Sequence, residues 1–404
     1  MVPNGWKQIQ LGSFCIFSQG FQVGVEAQFS SQNDGLIRFI RIVDYTKINE
    51  PPRYVEHLEN YYTISENDLV MVRYGEAGLI CRGIQGVIAN NLFKISPDCN
   101  QADQDYLYSW FKYNYRLISN LAASSTMPAL KFSDLKPLRV FLPPLPEQQK
   151  IAKILSTWDK AIATTERLIA TSQQQKKALM QQLLTGKKRL LNPETGKVFE
   201  GEWEHGFLGD LCTFKGGSAF KEVYQGQLSG DYPFIKVSDM NLPQNGKFIL
   251  QANNWITDEV AKKIKAKAFN AGSVVFAKVG AALLLNRRRI LVQPTIVDNN
   301  MMAATPKNIC STEFLYQLML MIDFAKFVQD GAVPSINQSD LSRFKISYPH
   351  LEEQQKIASV LTGADKEIEL LAAKLAHLKQ EKKALMQQLL TGKRRVKVDT
   401  TEAA

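Results

Sequence analysis

Arg73 and Tyr74 stand directly before Gly75, and Lys278 stands two residues before Gly280. Each closes a short apolar run, "DLVMVRYG" (68–75) and "SVVFAKVG" (273–280), of the kind that forms strands. A long basic side chain beside a glycine, where a backbone can approach a ligand closely, suits contact with a phosphate or a guanine edge. Asn90 and Asn91, matched by Asn299 and Asn300, carry amides that could pair with bases; they would serve equally as turn residues at a strand end. Arg287, Arg288 and Arg289 stand together in "NRRRI", either as phosphate contacts or as a solvated face. Lys131, beside "SDL", is one more basic candidate, and "SQGFQ" (18–22) and "KGGSAF" (215–220) are matched glycine-containing loops whose backbone could come close to a ligand.

Catalytic chemistry has no comparable signature. The chain has neither a G-x-x-x-x-G-K-[ST] phosphate loop nor a G-x-G-x-x-G; "LTGKKR" lacks the first glycine and follows a helical pattern. The Asn/Asp-Pro-Pro-Tyr/Phe tetrapeptide of amino-methyltransferases is absent. Histidines 57, 205, 350 and 377 show no metal-ligand spacing, and His377 falls on a helix as a surface residue. Scattered acids such as Asp68 and Asp298 could in principle build a nuclease site, but Asp68 has a serine, Ser273, as its counterpart in the other half. Five cysteines form no C-x-x-C pair, which argues against a disulfide framework or a zinc ribbon. No signal pattern opens the chain and no stretch approaches the twenty apolar residues of a membrane span, so a cytoplasmic, non-enzymatic protein is expected. The net charge of +10 makes an acidic partner plausible, nucleic acid first among them.

The elements that would position these residues occur twice. "KKALMQQLLTGK" runs from Lys176 to Lys187 and again from Lys382 to Lys393 without a mismatch, at an offset of 206 residues (382 − 176). "LPPLPEQQKIAKIL" (142–155) lies over "YPHLEEQQKIASVL" (348–361), and "TMPALKFSDL" (126–135) over "AVPSINQSDL" (332–341), at the same offset. "WKQIQLGSFCIF" (6–17) resembles "WEHGFLGDLCTF" (203–214) at offset 197, so the second copy holds nine more residues in its middle (206 − 197). The chain is a tandem duplication.

Each copy has a variable and a near-constant part. The constant part reads as a long helix: Ile151, Trp158, Thr165, Ser172 and Leu179 interleave with Leu155, Ile162, Ile169, Lys176 and Leu183 as a and d positions of a heptad. Ile357, Ala364, Leu371, Leu378, Leu385 and Leu361, Ile368, Leu375, Lys382, Leu389 repeat the scheme. Pro146 is placed just ahead of the first helix, and Gly186 and Gly392 as the stops. The seam weakens around Thr165 and Ser172, so the first helix needs a partner. The variable parts read as mixed α/β globules, with matched strands at "FIRIVD" (39–44) and "FIKVSD" (234–239) and helices over 105–118 and 313–328. The expected fold class is α+β, a duplicated mixed domain plus long helix. Its segments are a domain over 1–145, a helix over 146–186, a linker over 187–202, a second domain over 203–350, a second helix over 351–393 and a tail over 394–404.

On "LPPLPEQQKIAKIL", "LEEQQKIASVL", both copies of "KKALMQQLLTGK" and the tryptophan-led starts at Trp6 and Trp203, the chain resembles the specificity (S) subunits of type I restriction-modification systems. His350 and Glu352 in place of Pro144 and Pro146 are a mild departure. The resemblance implies that each variable domain is a target recognition domain reading one half of a bipartite DNA site. It implies that the two helices pair antiparallel and hold the domains apart, and that two methyltransferase subunits dock on them. S-adenosylmethionine would belong to those subunits, and ATP and magnesium to motor subunits that join for cleavage; this chain would bind no cofactor. Two copies of one partner would explain the identical dodecamers; a recent duplication would explain them too. Lys177, Gln181 and Gln182, with Lys383, Gln387 and Gln388, lie off the heptad seam and could face such a partner. The competing class is a coiled-coil adaptor or structural repeat protein that binds no nucleic acid.

Overall fold

A computed structural model of the chain describes residues 3–56, 62–122, 129–328 and 334–398. His57, part of the 126–135 and 332–341 matches, and the end of the tail lie outside the described residues. The chain forms two compact units, residues 1–166 with 373–404, and residues 167–372. Each long helix therefore contributes one half to each unit.

In the first unit, strand Leu69–Val72 is buried along its whole length. Leu69 and Met71 point into the core that holds Phe93, Ile95, Tyr106, Leu107 and Phe111. Val70 and Val72 meet Ile40, Ile64 and Ile88 on the other side. Burial on both faces is why this strand reads as a continuous apolar run instead of an alternating one. Its sheet runs Cys15–Gln19, Leu92–Pro97, Leu69–Val72, Ile80–Cys81, all antiparallel. A second sheet runs Arg53–Glu56, Leu36–Ile40, Gly86–Ile88, Thr63–Ile64, with Leu36–Ile40 and Gly86–Ile88 parallel. A third ladder joins Lys7–Gln10 to Arg139–Leu142.

The second unit repeats this plan. Cys212–Gly216, Met301–Pro306, Val274–Ala277 and Arg289–Leu291 form the main sheet, widened by the edge strand Phe248–Ile249. Trp255–Ile256, Tyr232–Ile235 and Ile296–Val297 form the second sheet, and Glu204–Phe207 pairs with Lys345–Tyr348. Helices Gln104–Tyr113 and Thr312–Met321 cover the main sheets of their units.

The strands expected over 39–44 and 234–239 end early, at Ile40 and Ile235. Asp44 accepts the Arg41 amide at 2.8 Å and Asp239 accepts the Lys236 amide at 2.7 Å. These side-chain caps turn the chain into short helices over Ile42–Thr46 and Val237–Asn241. The helix expected over 105–118 is two, Gln104–Tyr113 and Tyr115–Ala122.

The long helices run Leu145–Leu183 and Leu351–Leu389, each about 60 Å long at 1.5 Å per residue. Pro146 is the second residue of the first helix, in the first turn, where its missing N–H leaves no bond unmade. Gly186 and Gly392 take φ of +73° and +70° beyond the helix ends. Every heptad position named above is buried or half-buried. The helices pair as an antiparallel coiled coil. In the first unit, Ile151, Ala152 and Leu155 share a core with Met386, Leu389 and Leu390. In the second, Leu183 and Leu184 share one with Ile357, Ala358 and Leu361. Three polar groups on the seam have partners: Thr165 donates to the Ala161 carbonyl at 2.8 Å, Lys382 to Asp159 at 2.6 Å and Lys176 to Asp365 at 2.5 Å. Among the described residues, no helix is long and apolar enough to cross a membrane.

Candidate nucleic-acid interface and partner-facing surface

In the first unit, Arg73, Tyr74, Asn90 and Asn91 meet where strands Leu69–Val72 and Leu92–Pro97 end side by side. The Arg73 amide donates to the Asn91 carbonyl at 2.9 Å, and the Arg73 carbonyl accepts from Leu130 at 3.0 Å, which brings exposed Lys131 to the same edge. The Arg73 guanidinium lies 5.0 Å from the Tyr74 ring centroid. Asn90 donates its amide to Gln22 Oε1 at 3.1 Å, and Gln19 donates to the Asn90 carbonyl at 3.0 Å. The Asn91 Oδ1 atom is buried without a partner among the described residues. A concavity of about 300 Å³ opens beside these asparagines, with Gln28 and Arg41 on its wall. The edge thus gathers amides, a guanidinium and a phenol ring, groups that can donate to phosphates and base edges.

The second unit builds the same edge. The Lys278 amide donates to the Asn300 carbonyl at 2.9 Å, and the Lys278 carbonyl accepts from Ile336 at 3.0 Å. Asn299 and Asn300 are both exposed, and the Asn300 backbone N–H donates to Asp298 Oδ1 at 2.7 Å. Lys278 lines a concavity of about 370 Å³ with Ser335, Asn337 and Gln338. Gln19 and Gln22 belong to the "SQGFQ" loop, whereas nothing in the spacing of Ser335 and Gln338 ties them to the strand ends they join.

The arginine run does not form the single phosphate-facing patch expected of it. Arg288 is 1% exposed. Its guanidinium stacks 3.7 Å from the Phe324 ring centroid and donates to the carbonyls of Asn286 and Ile322. Burial pushes its pKa down to about 10, and a side chain so engaged cannot reach a phosphate. Arg289 is half-buried and donates to the carbonyls of Asn245 and Met240, holding the loop behind the sheet. Arg287 alone is exposed, and it bonds Asn241. In each glycine loop one glycine packs closely on the protein's own backbone. A Cβ on Gly20 would stand 2.3 Å from the Ala89 carbonyl oxygen, and one on Gly217 would stand 2.0 Å from that of Asp298. Those glycines are required by the protein's own backbone.

Asp68 is held by Lys94 at 3.0 Å and by the Ser65 amide at 2.7 Å. Asp298 is buried and turned onto Asn300. The two acids lie in different units. No group of three or more His, Cys, Asp or Glu placed to hold a metal occurs among the described residues.

Lys177, Gln181 and Gln182 are exposed on the first helix, and Lys383, Gln387 and Gln388 on the second. Two residues beyond each dodecamer stands an arginine outside the repeated motif. Arg189 forms a bidentate pair with Glu353, both bonds 2.7 Å, and donates to the Gly201 carbonyl at 2.8 Å. Arg395 forms the same pair with Glu147, both bonds 2.6 Å, and donates to the Asn4 carbonyl at 2.6 Å. Each end of the constant segment is thereby clasped in the same way in its own unit.

A family model for the type I restriction modification DNA specificity domain matches residues 3–172 and again 200–380. The MjaVIII specificity subunit of Methanocaldococcus jannaschii is 24% identical over 98% of this chain and 94% of its own length. A putative MjaX specificity subunit from the same organism is 29% identical over 76% of this chain and 72% of its own. Among solved structures, the S subunit of a type I restriction-modification system from M. genitalium superposes with a TM-score of 0.60 at 15% identity, covering 95% of this chain and 96% of that one. A chain from a study of complex assembly in a type I R-M system gives 0.58 at 18% identity, covering 96% and 98%. These last two likenesses are of fold.

Proposed function

The chain belongs to the type I restriction-modification DNA specificity family, and from that premise we propose that it is the DNA sequence-recognition subunit of a type I restriction-modification complex. The observation that carries this reading is the family match in both copies, each over a domain that sets basic and amide side chains at one sheet edge. Each target domain reads one half of a bipartite site, the first through Arg73, Tyr74, Asn90, Asn91 and Lys131, the second through Lys278, Asn299, Asn300 and Arg287. The coiled coil sets the spacing between the halves. The exposed dodecamer faces, with Lys177, Gln181, Gln182 and their counterparts Lys383, Gln387 and Gln388, dock two copies of one methyltransferase subunit.

In this reading the chain does no chemistry. Methyl transfer from S-adenosylmethionine belongs to the docked subunits, and ATP- and magnesium-dependent work to motor subunits joined through them. Recognition rests on charge-assisted bonds to the backbone for register and on amide or guanidinium bonds to base edges for sequence.

The test compares the purified chain with the chain plus its methyltransferase partner. The complex should bind one duplex sequence far above random DNA, with affinity falling steeply as salt rises. The chain alone should transfer no methyl group and cut no DNA. A coiled-coil adaptor would show neither the sequence preference nor the salt slope, and methyl transfer by the chain alone would overturn the non-catalytic assignment.

A further inference from the structure

The two target domains present one backbone frame with different side chains on it. In the first, Gln19 stands opposite Phe93 in the ladder, the Gly20 amide donates to Leu92 at 3.0 Å, and Arg73 sits between Asn91 and Leu130. In the second, Gly216 stands opposite Met302, the Gly217 amide donates to Met301 at 3.0 Å, and Lys278 sits between Asn300 and Ile336. Gln19 and Gly216 are therefore equivalent points, as are Arg73 and Lys278.

What differs is the aim of the cation. In the first domain Gln19 fills its place and bonds the Asn90 carbonyl, while the Arg73 guanidinium lies 5.0 Å from the Tyr74 ring centroid. In the second domain Val279 replaces the tyrosine, so the ring beside Arg73 has no counterpart at that position. The Lys278 side chain instead crosses Gly216: a Cβ added at 216 would stand 3.0 Å from the Lys278 Nζ atom. Lys278 lines the concavity of about 370 Å³ together with Gly216, Ser335, Asn337 and Gln338, and no ion pair joins its ammonium to a carboxylate of the described residues. An ammonium has three donors and no acceptor, which matches the O6 and N7 acceptors of guanine.

We propose that Lys278 reads a guanine in the second half-site and that Gly216 is a specificity-determining residue acting through it, by leaving open the path along which the lysine is aimed. This rests on the reading of the second domain as a DNA-reading module. Gly216 contributes no side chain to DNA; it is a positioning residue. The contact that a Cβ at 216 would meet is the mobile end of a lysine, so alanine there displaces the lysine and leaves the ladder to Met302 in place.

The experiment selects duplexes from a randomised library with the full chain in complex with its methyltransferase partner, and sequences what is bound. Wild type should enrich two half-sites. K278A should lower discrimination at one guanine of one half-site at least tenfold. G216A should lower it at the same base pair, and the double variant should be no worse than K278A, because the glycine acts only through the lysine. The other half-site should be unaltered in all three. Enrichment by wild type, with K278A and G216A either matching its motif or losing different base pairs, would overturn the proposal alone. A uniform loss across sequences with a shallower salt slope would assign Lys278 to phosphate and overturn it too. No enrichment by wild type would sink the functional reading and this proposal together.

Discussion

Arg395 holds Glu147 by two bonds of 2.6 Å, joining the segment after the second long helix to the first turn of the first. The same carboxylate accepts the Trp6 indole N–H at 3.2 Å. In the first unit, one buried acid thus ties together the chain's N-terminal segment, the start of one constant helix and the end of the other. Arg189 and Glu353 repeat the pair in the second unit. The arginine is charge-complementary and planar, so it satisfies both carboxylate oxygens at once.

Removing that clasp should destabilise the first unit. Glu147 is buried, and Arg395→Ala would leave its charge with the Trp6 indole N–H as its remaining side-chain partner among the described residues. The cost should be about 2–4 kcal/mol, near the range for breaking a buried pair, lowered because the arginine itself is half-exposed. Arg395→Lys should recover only part, since an ammonium cannot make the two parallel bonds. Thermal unfolding measures this; an unchanged melting temperature in Arg395→Ala would show that the pair is dispensable.

The seam lysines should behave asymmetrically. Lys382 is buried, its pKa pulled down by burial against the raising effect of Asp159. Asp159→Ala leaves that ammonium unpaired and should cost about 1–2 kcal/mol, between the exposed and the fully buried case. Lys382→Leu restores an apolar heptad position and should be neutral or stabilising. Denaturant titration of both variants decides it; a larger loss in Lys382→Leu than in Asp159→Ala would contradict this account of the seam.

Docking of the partner should be divisible. Lys177→Glu combined with Gln181→Glu alters one exposed dodecamer face and leaves the other copy intact. Native mass spectrometry with the methyltransferase partner should then show a one-to-one complex where wild type gives one-to-two. Retention of the one-to-two complex would place the docking surface elsewhere.

The neighbouring arginines should separate cleanly. Arg288→Ala removes the stacking on Phe324 and leaves two carbonyls without their donor, so it should lower stability by about 3 kcal/mol. Arg287→Ala should leave stability within about 0.5 kcal/mol and weaken DNA binding for all sequences alike. Melting curves and salt-dependent binding of the two variants give the answer. A stable Arg288→Ala protein with reduced DNA affinity would return that residue to the interface.

The constant helices were legible because a heptad writes its burial into a period of seven, and even the lysines at 176 and 382 fall on that period. Their acid partners were not legible: Lys382 and Asp159 lie 223 residues apart, and only the antiparallel register brings them together. Arg189 and Arg395 carried a readable signal, since both stand two residues beyond the repeated dodecamer, but their glutamates are 164 and 248 residues away. The arginine run misled because three like charges read as one patch, while the backbone sends each side chain a different way. The early strand ends at Ile40 and Ile235 were written in the aspartates three residues after Arg41 and Lys236, a local cap that the apolar pattern overshadowed.

If two domains on one chain each read one half of a split DNA site, the methylated motif must carry both halves. The most direct measurement is a long-read map of methylated positions in cells that express the chain with its methyltransferase partner, as wild type, Arg73→Ala and Lys278→Ala. Wild type should give a bipartite motif with a fixed gap, relaxed in one half by Arg73→Ala and in the other half by Lys278→Ala. A single uninterrupted motif, or both substitutions relaxing the same half, would contradict it.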